Sequence, residues 1–341
     1  MIDLNIIWFL LVGVLVIGYA ILDGFDLGVG ILHFFAKTEK EKRINLNAIG
    51  PVWDGNEVWL LTGGGAIFAA FPVVYATVFS GFYLAFILLL FALIARAVSF
   101  EFRKHSYDHP EMKKIWDAAF IFGSFLPALL YGVAFGNVLR GLEIHENATY
   151  TGNFFSLLNP FSLLVGLTGL MMFVMHGALY MTMKTDGELR NEMFKRAKKS
   201  YFVFVPLYII STIFAVLESP YLFSRILSNP LFYVLTVVLI AAIVYIPIGT
   251  NSKKAGLTFT ASAVTIGSMI LLSALSLFPY IAPSRVDLEK FSLTIYNASS
   301  SQNTLMVMLI LALIGMPIVI GYSIYVYRIF KGKVVLNNEG Y

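Results

Sequence analysis

The chain of 341 residues contains no cysteine. Disulfides, thiolate-held iron–sulfur clusters and thiol-attached haem are therefore excluded. Charge is scarce as well: Asp, Glu, Lys and Arg supply 13% of the residues, against roughly a quarter in a soluble domain. Histidine occurs only five times. What is abundant is apolar, with 58% hydrophobic residues and a mean hydropathy of +0.79. Such a composition describes an all-α polytopic membrane protein. The formal net charge of +4 requires no nucleic-acid partner, because the basic residues are placed as a membrane demands. No Lys or Arg precedes Lys37, and the opening apolar run is too long for a signal-peptide core, so the first helix is expected to be retained.

Apolar segments near the ~20-residue spanning length occur at about 6–36, 48–71, 74–101, 115–138, 160–183, 200–218, 229–249, 256–278 and 304–330. Nine helices follow, in a single transmembrane domain over 1–341, with the termini on opposite sides. Nineteen of the 24 Lys and Arg residues fall in the loops at 37–47, 102–114, 184–199 and 251–255 and in the tail after 327. The other side holds Arg140, Arg225, Arg285 and Lys290, while Arg96 lies inside the third segment. The positive-inside rule makes the basic side cytoplasmic, with an external N-terminus and a cytoplasmic C-terminus. Pro127 and Pro317 fall inside helices four and nine, where a proline frees a backbone carbonyl and kinks the helix.

Against this background the stretch GYAILDGFDLGVGIL (18–32) is unexpected, since it carries Asp23 and Asp26 within an apolar run. A carboxylate near the centre of a membrane helix costs about 2.5–3.5 kcal/mol. The next helix opens with a second acidic pair, Asp54 and Glu57, in WDGNEVWLLTGGGAIF (53–68), and Arg96 sits in the third. Each acidic pair is spaced i, i+3 and so shares a helix face. All lie in the half of the bundle nearer the basic loops. Facing across the first hairpin, they would form a cluster of up to four carboxyls with one guanidinium. Such a group cannot ionise completely in a low dielectric and is suited to relaying protons inward.

Structural roles compete with that reading. Asp54 and Glu57 sit in the first turns of a helix, where acids favour the dipole, and Asp23 with Arg96 would also serve as a structural ion pair. Gly24 and Gly28, and Gly63 to Gly65, suit close helix packing. Trp53 stands near the rim, where it would act as an interfacial anchor, and Trp59 is expected to pack between helices. The histidines are His33, His105, His109, His145 and His176. His105 and His109 read as loop residues, because Tyr107, Asp108 and Pro110 interrupt any helix there. His176 is the one candidate haem ligand, with no second buried histidine to pair with it in the central helices. A hydrogen-bonded core role fits it better, so the chain is expected to bind no haem and no metal ion.

Several blocks taken together resemble subunit II of the bacterial cytochrome bd quinol oxidases. They are residues 18–32, GPVWDGNEVWLLTGGGAIFAAFPVVYATVFSGFY (50–83), SFEFR (99–103), GVAFGN (132–137), YTGNFFSLLNPF (150–161) and SLTIYNASSSQNTL (292–305). The resemblance runs in order along nearly the whole chain. It implies nine helices arranged as two four-helix bundles plus a peripheral helix, in the bacterial cytoplasmic membrane. It implies a heterodimer with a haem-bearing subunit I, which would hold two b-type haems and one d-type haem, often beside a small single-helix subunit. The complex would oxidise quinol and reduce O2 to water. By motif, Asp23 and Asp54 would belong to a cytoplasmic proton route with Trp53 beside it. Asp26, Glu57 and Arg96 would surround them.

Two other classes remain open on the residues alone. A proton-coupled transporter also carries intramembrane acids, although it would place broken helices in both halves. A purely structural assembly subunit would keep the same acids for pairing only.

Overall fold

The computed structural model describes residues 3–106 and 109–336. Tyr107 and Asp108, named above as helix breakers, lie outside the described residues. Helix α1 (Leu4–Leu32) starts on Asp3, whose carboxylate accepts from the amides of Asn5 and Ile6, and runs into a 3-10 turn at His33–Phe35. An amphipathic helix α2 (Glu39–Ile49) follows, then α3 (Trp53–Ala70), α4 (Pro72–Gly81), α5 (Tyr83–His105) and α6 (Pro110–Arg140). The second half comprises α7 (Pro160–Lys184), α8 (Gly187–Glu218), the short α9 (Tyr221–Ile226), α10 (Pro230–Asn251), α11 (Ala255–Leu277) and α12 (Gln302–Ile329). Caps follow local chemistry. Asn159 precedes Pro160 and accepts from the Ser162 amide, and Asn229 precedes Pro230 and accepts from Leu231. Proline fits the first helical turn because its missing N–H would be unpaired there anyway.

Eight helices among the described residues are long and apolar enough to cross a membrane. The segment expected at 48–71 is not among them. Its helix is α3, 18 residues long, and Asp54, Asn56 and Glu57 make its first half polar. The expected boundaries shift elsewhere too. The stretch 37–47, read as a basic loop, is largely α2, started by Thr38 Oγ1, which accepts from the Glu41 amide at 3.2 Å. The segment at 74–101 is α4 and α5, which meet at Phe82. Hydrogen bonds from Phe82 N to Val78 O and from Phe86 N to Phe82 O carry the ladder across that bend. The sixth segment starts thirteen residues earlier than position 200, at Gly187.

Helix α1 is the centre of the packing, with α3, α6, α7 and α11 against it. From Asp23 to Gly30 every residue of α1 is buried, so its C-terminal half is enclosed on all sides rather than along one stripe. The closest approach is to α7. A Cβ on Gly28 would lie 2.0 Å from Phe173 O, and one on Gly177 would lie 2.6 Å from Gly28 C. Only glycine permits that crossing, as close packing in lipid requires. Helices α7, α8, α10 and α11 pack in succession, α5 packs on α6, and α12 touches α1 and α3 while remaining largely exposed.

The two ends of the bundle differ. One carries the basic segments. The other is closed by strands β1 (Tyr280–Ala282) and β2 (Leu293–Thr294), paired antiparallel, and by the segment 141–159, tied through Leu142 N to Pro283 O at 2.8 Å.

Candidate functional site

The intramembrane charges gather where α1, α3 and α5 meet, in the half nearer the basic end. Arg96 from α5 reaches between two acids. Its Nη2 lies 3.0 Å from Asp23 Oδ1 on α1, and its Nη1 lies 2.8 Å from Glu57 Oε1 on α3. The Arg96 and Asp23 side chains are wholly buried, and Glu57 is 20% exposed. Tyr19, one turn before Asp23, donates to Asp23 Oδ2 at 2.7 Å, and its hydroxyl lies 2.8 Å from that of Tyr131 on α6. Both oxygens of Asp23 thus have partners.

Asp26 is held differently. Its Oδ2 accepts from Asn56 Nδ2 on α3 at 2.7 Å, and Asn56 Oδ1 accepts in turn from Tyr327 OH on α12 at 2.9 Å. Asp26 Oδ1 and Arg96 Nε are buried with no protein partner. Tyr327 also forms a wall of an apolar groove of about 550 Å³ between α12 and α1/α3, lined further by Leu22, Trp59 and Ile324, with Arg328 and Lys331 at its basic end.

Of the four carboxyls expected to face one another, the structure brings together three. Asp54 is the exception: it is exposed on the outer face of α3. A separation of three residues leaves two side chains about 60° apart around a helix. Glu57 turns toward Arg96 while Asp54, at the edge of the same face, looks outward. The inward place expected for it is taken by Asn56. Trp53 stacks on Phe100 of α5, centroids 4.9 Å apart and planes 4° apart. Trp59 packs against Gly18 of α1, as expected for a residue between helices. The glycines divide. Gly24 and Gly28 meet α7, but Gly64 and Gly65 have open space where a Cβ would stand, so the close packing expected of the α3 glycines does not occur within this chain.

A second ionic cluster, which sequence reasoning missed, lies two turns nearer the basic end. Asp117 of α6 accepts from three donors: His33 Nε2 at 2.9 Å, Lys42 Nζ of α2 at 2.7 Å, and Arg103 Nε of α5. Arg103 Nη2 also reaches Glu39 Oε2 at 3.0 Å, and Lys113 stands 3.7 Å from Glu39 Oε1. His33 is buried, edge-on to Phe120 at 5.2 Å, and its Nδ1 has no partner. The available signals were a lone acid in an apolar run, IWDAAF, and the seven-residue step from Asp26 to His33. Asn56, Tyr19, Tyr131 and Tyr327 were missed because neutral polar residues do not register in a charge count.

The remaining histidines do not form a site. His176 has both ring nitrogens engaged, Nδ1 with Ser262 Oγ at 2.6 Å and Nε2 with Ile21 O at 3.1 Å, and its ring stacks on Phe259. A nitrogen held by a carbonyl must carry the proton, so the imidazole has no free lone pair pointing at an axial position. Helix α5 ends at His105, and α6 begins at Pro110 after His109. Among the described residues no group of three or more His, Cys, Asp or Glu side chains is placed to hold a metal ion.

Comparison with known proteins agrees with this architecture. In fold, the chain is similar to one in the structure of bd oxidase from Geobacillus thermodenitrificans, with a TM-score of 0.80 at 17% identity, covering 96% of this chain and 99% of that one. That likeness defines the class of fold, a polytopic bundle of membrane-spanning helices. The family model for cytochrome bd terminal oxidase subunit II matches residues 4–330, and the chain belongs to that family. Among curated relatives, the cytochrome bd ubiquinol oxidase subunit 2 of Bacillus subtilis is 38% identical, covering 98% of each chain. The cytochrome bd-I ubiquinol oxidase subunit 2 of Escherichia coli strain K12 is 36% identical over 97% of this chain and 95% of that one. A probable cytochrome oxidase subunit 2 of Haemophilus influenzae is 37% identical over 98% and 96%. The protein is thus a subunit of a bd-type terminal oxidase and a multi-pass protein of the bacterial cytoplasmic membrane.

Proposed function

We propose that this chain is the haem-free member of a heterodimeric quinol:O2 oxidoreductase and supplies cytoplasmic protons for reduction of O2 to water. In this reading the basic end faces the cytoplasm, and α3 is the ninth span despite its polar start. The spans form two four-helix groups with α12 peripheral. Two b-type haems and one d-type haem belong to the partner, subunit I, beside a small single-helix subunit, with quinol and O2 as substrates of the complex. The similarity to named bd oxidase subunits supports the assembly.

The observation that carries the proton reading is the imbalance around Arg96. Two carboxyls, Asp23 and Glu57, share one guanidinium, and a third, Asp26, is buried beside them on the Asn56 amide. Buried like charges cannot all persist without protons or counter-charges, so such a cluster holds exchangeable protons. Glu57 lies toward the exposed face of α3 that carries Asp54, which gives the cluster an outlet toward a partner chain. Trp53 borders it on the basic side.

The test uses the purified oxidase with Asp23→Asn or Asp54→Asn in this subunit, haem content confirming assembly. Turnover with quinol and proton uptake by a pH-indicating dye are both expected to fall, by about tenfold or more, in line with loss of an acid–base group. An assembled Asp23→Asn complex with ordinary turnover and uptake would leave the acids a structural role only.

A further inference from the structure

The two ionic clusters are joined by a buried seam. Along α1 and the 3-10 turn that continues it, Asp26, Gly30 and His33 fall at i, i+4 and i+7 and so share one side. Helix α5 presents Arg96, Ser99 and Arg103 at i, i+3 and i+7, and α6 presents Asp117 and Ser124, also seven apart. Ser99 and Ser124 are wholly buried between the clusters. A Cβ on Gly30 would lie 1.9 Å from Ser124 Oγ, so the glycine is what admits that hydroxyl to the seam. From Asp26 to His33 the axial distance is about 10 Å at 1.5 Å per residue.

Three buried polar atoms without protein partners stand at the two ends of this seam: His33 Nδ1 at one, Asp26 Oδ1 and Arg96 Nε at the other. Buried polar atoms are nearly always paired with protein or ordered water. Because His33 Nε2 faces the Asp117 carboxylate, that nitrogen carries the ring proton of the neutral imidazole, and Nδ1 is left as a bare acceptor. The groups facing His33 are Asp117 from α6, Arg103 from α5 and Lys42 from α2, with Glu39 and Lys113 behind them.

We propose that His33, positioned by Asp117, is the proton-loading group at the basic end and delivers protons along the α1–α5–α6 seam to Asp26. A proton from water forms an N–H bond at Nδ1, and the Asp117 carboxylate stabilises the imidazolium. That bond then breaks and an O–H bond forms on Asp26 through water beside Ser99 and Ser124. The ring returns to its neutral form, and the net change is one proton moved from bulk water to Asp26. This inference rests on the proton-route reading above, and it names the inlet that reading lacks.

The experiment uses the whole oxidase with His33→Gln, which keeps an N–H for Asp117 but offers no site for a proton. Turnover of the assembled variant is measured from about pH 6 to about pH 8.5, a range set by imidazole chemistry. The expected result is a drop of about tenfold at the alkaline end, where free protons are scarce, with near-normal turnover at the acidic end. A uniform drop at every pH would mark His33 as merely structural and overturn the inlet, as would an unchanged profile. Ser124→Ala provides a second probe that keeps the fold, since its hydroxyl bonds only within its own helix, to Phe120 O. It is expected to slow alkaline turnover by about twofold to threefold, and no change there would count against the seam. Asp26→Asn in the same complex separates the two readings. If it slows turnover while His33→Gln does not, the acid route stands and the inlet lies elsewhere. If neither slows it, the route itself is wrong.

Discussion

The two buried ionic clusters are built in opposite senses. Around Arg96 one cation meets an excess of carboxyls, and around Asp117 one carboxylate meets an excess of cations. The first sits deep and leaves Asp26 Oδ1 and Arg96 Nε without partners. The second lies nearer the rim, where Lys42 is 27% exposed, and ties the 3-10 turn after α1, the interfacial α2, α5 and α6 to one acid. A charge surplus has different meanings at the two depths. Lys42, partly exposed at the basic rim, reaches water and headgroups and needs no further balance. Surplus acids in the interior do, and protons are the counter-ions available there.

That contrast can be broken at four points, in decreasing order of effect. Arg96→Leu removes the only cation from the deep cluster and strands two buried acids, a loss of about 3–5 kcal/mol. The expected outcome is little assembled complex, read as haem recovered with this subunit. Asp117→Asn keeps the side-chain shape but leaves three donors around a neutral amide. With partial access to water the loss is smaller, about 2 kcal/mol, measured as a lowered Tm of the purified complex. Tyr19→Phe removes one hydrogen bond from Asp23 while Arg96 still holds its other oxygen, and about 1 kcal/mol is expected. Asp54→Asn, on the open face of α3, is expected to shift Tm by less than about 0.5 kcal/mol equivalent even as turnover falls. A large destabilisation there would give Asp54 a structural role instead.

Much of the fold was legible because hydrophobic run length speaks directly to span. The exceptions share a cause: α3 was found by its glycine- and alanine-rich second half, while its acids disqualify it by composition. Asp54 was misplaced because an i, i+3 pair covers an arc rather than a point, and sequence does not say where along that arc the neighbour lies. The Asp117 clamp was invisible for another reason. Its partners lie 84, 75 and 14 positions away in the chain, and only the packing of four elements brings them to one carboxylate. The stretch 37–47 shows the reverse error, since TEKE contains a Thr and a Glu three apart that start a helix, and a count of lysines masked it.

The hydrogen bond from Tyr327 to Asn56 has a consequence for the order in which the protein is made. Helix α12 leaves the ribosome after the other described helices, and until it docks, Asn56 Oδ1 lacks the hydroxyl that fixes the amide toward Asp26. The deep cluster is begun by α1 and completed only by α12. A chain truncated before residue 327 would insert its other spans and still lack a finished acid site.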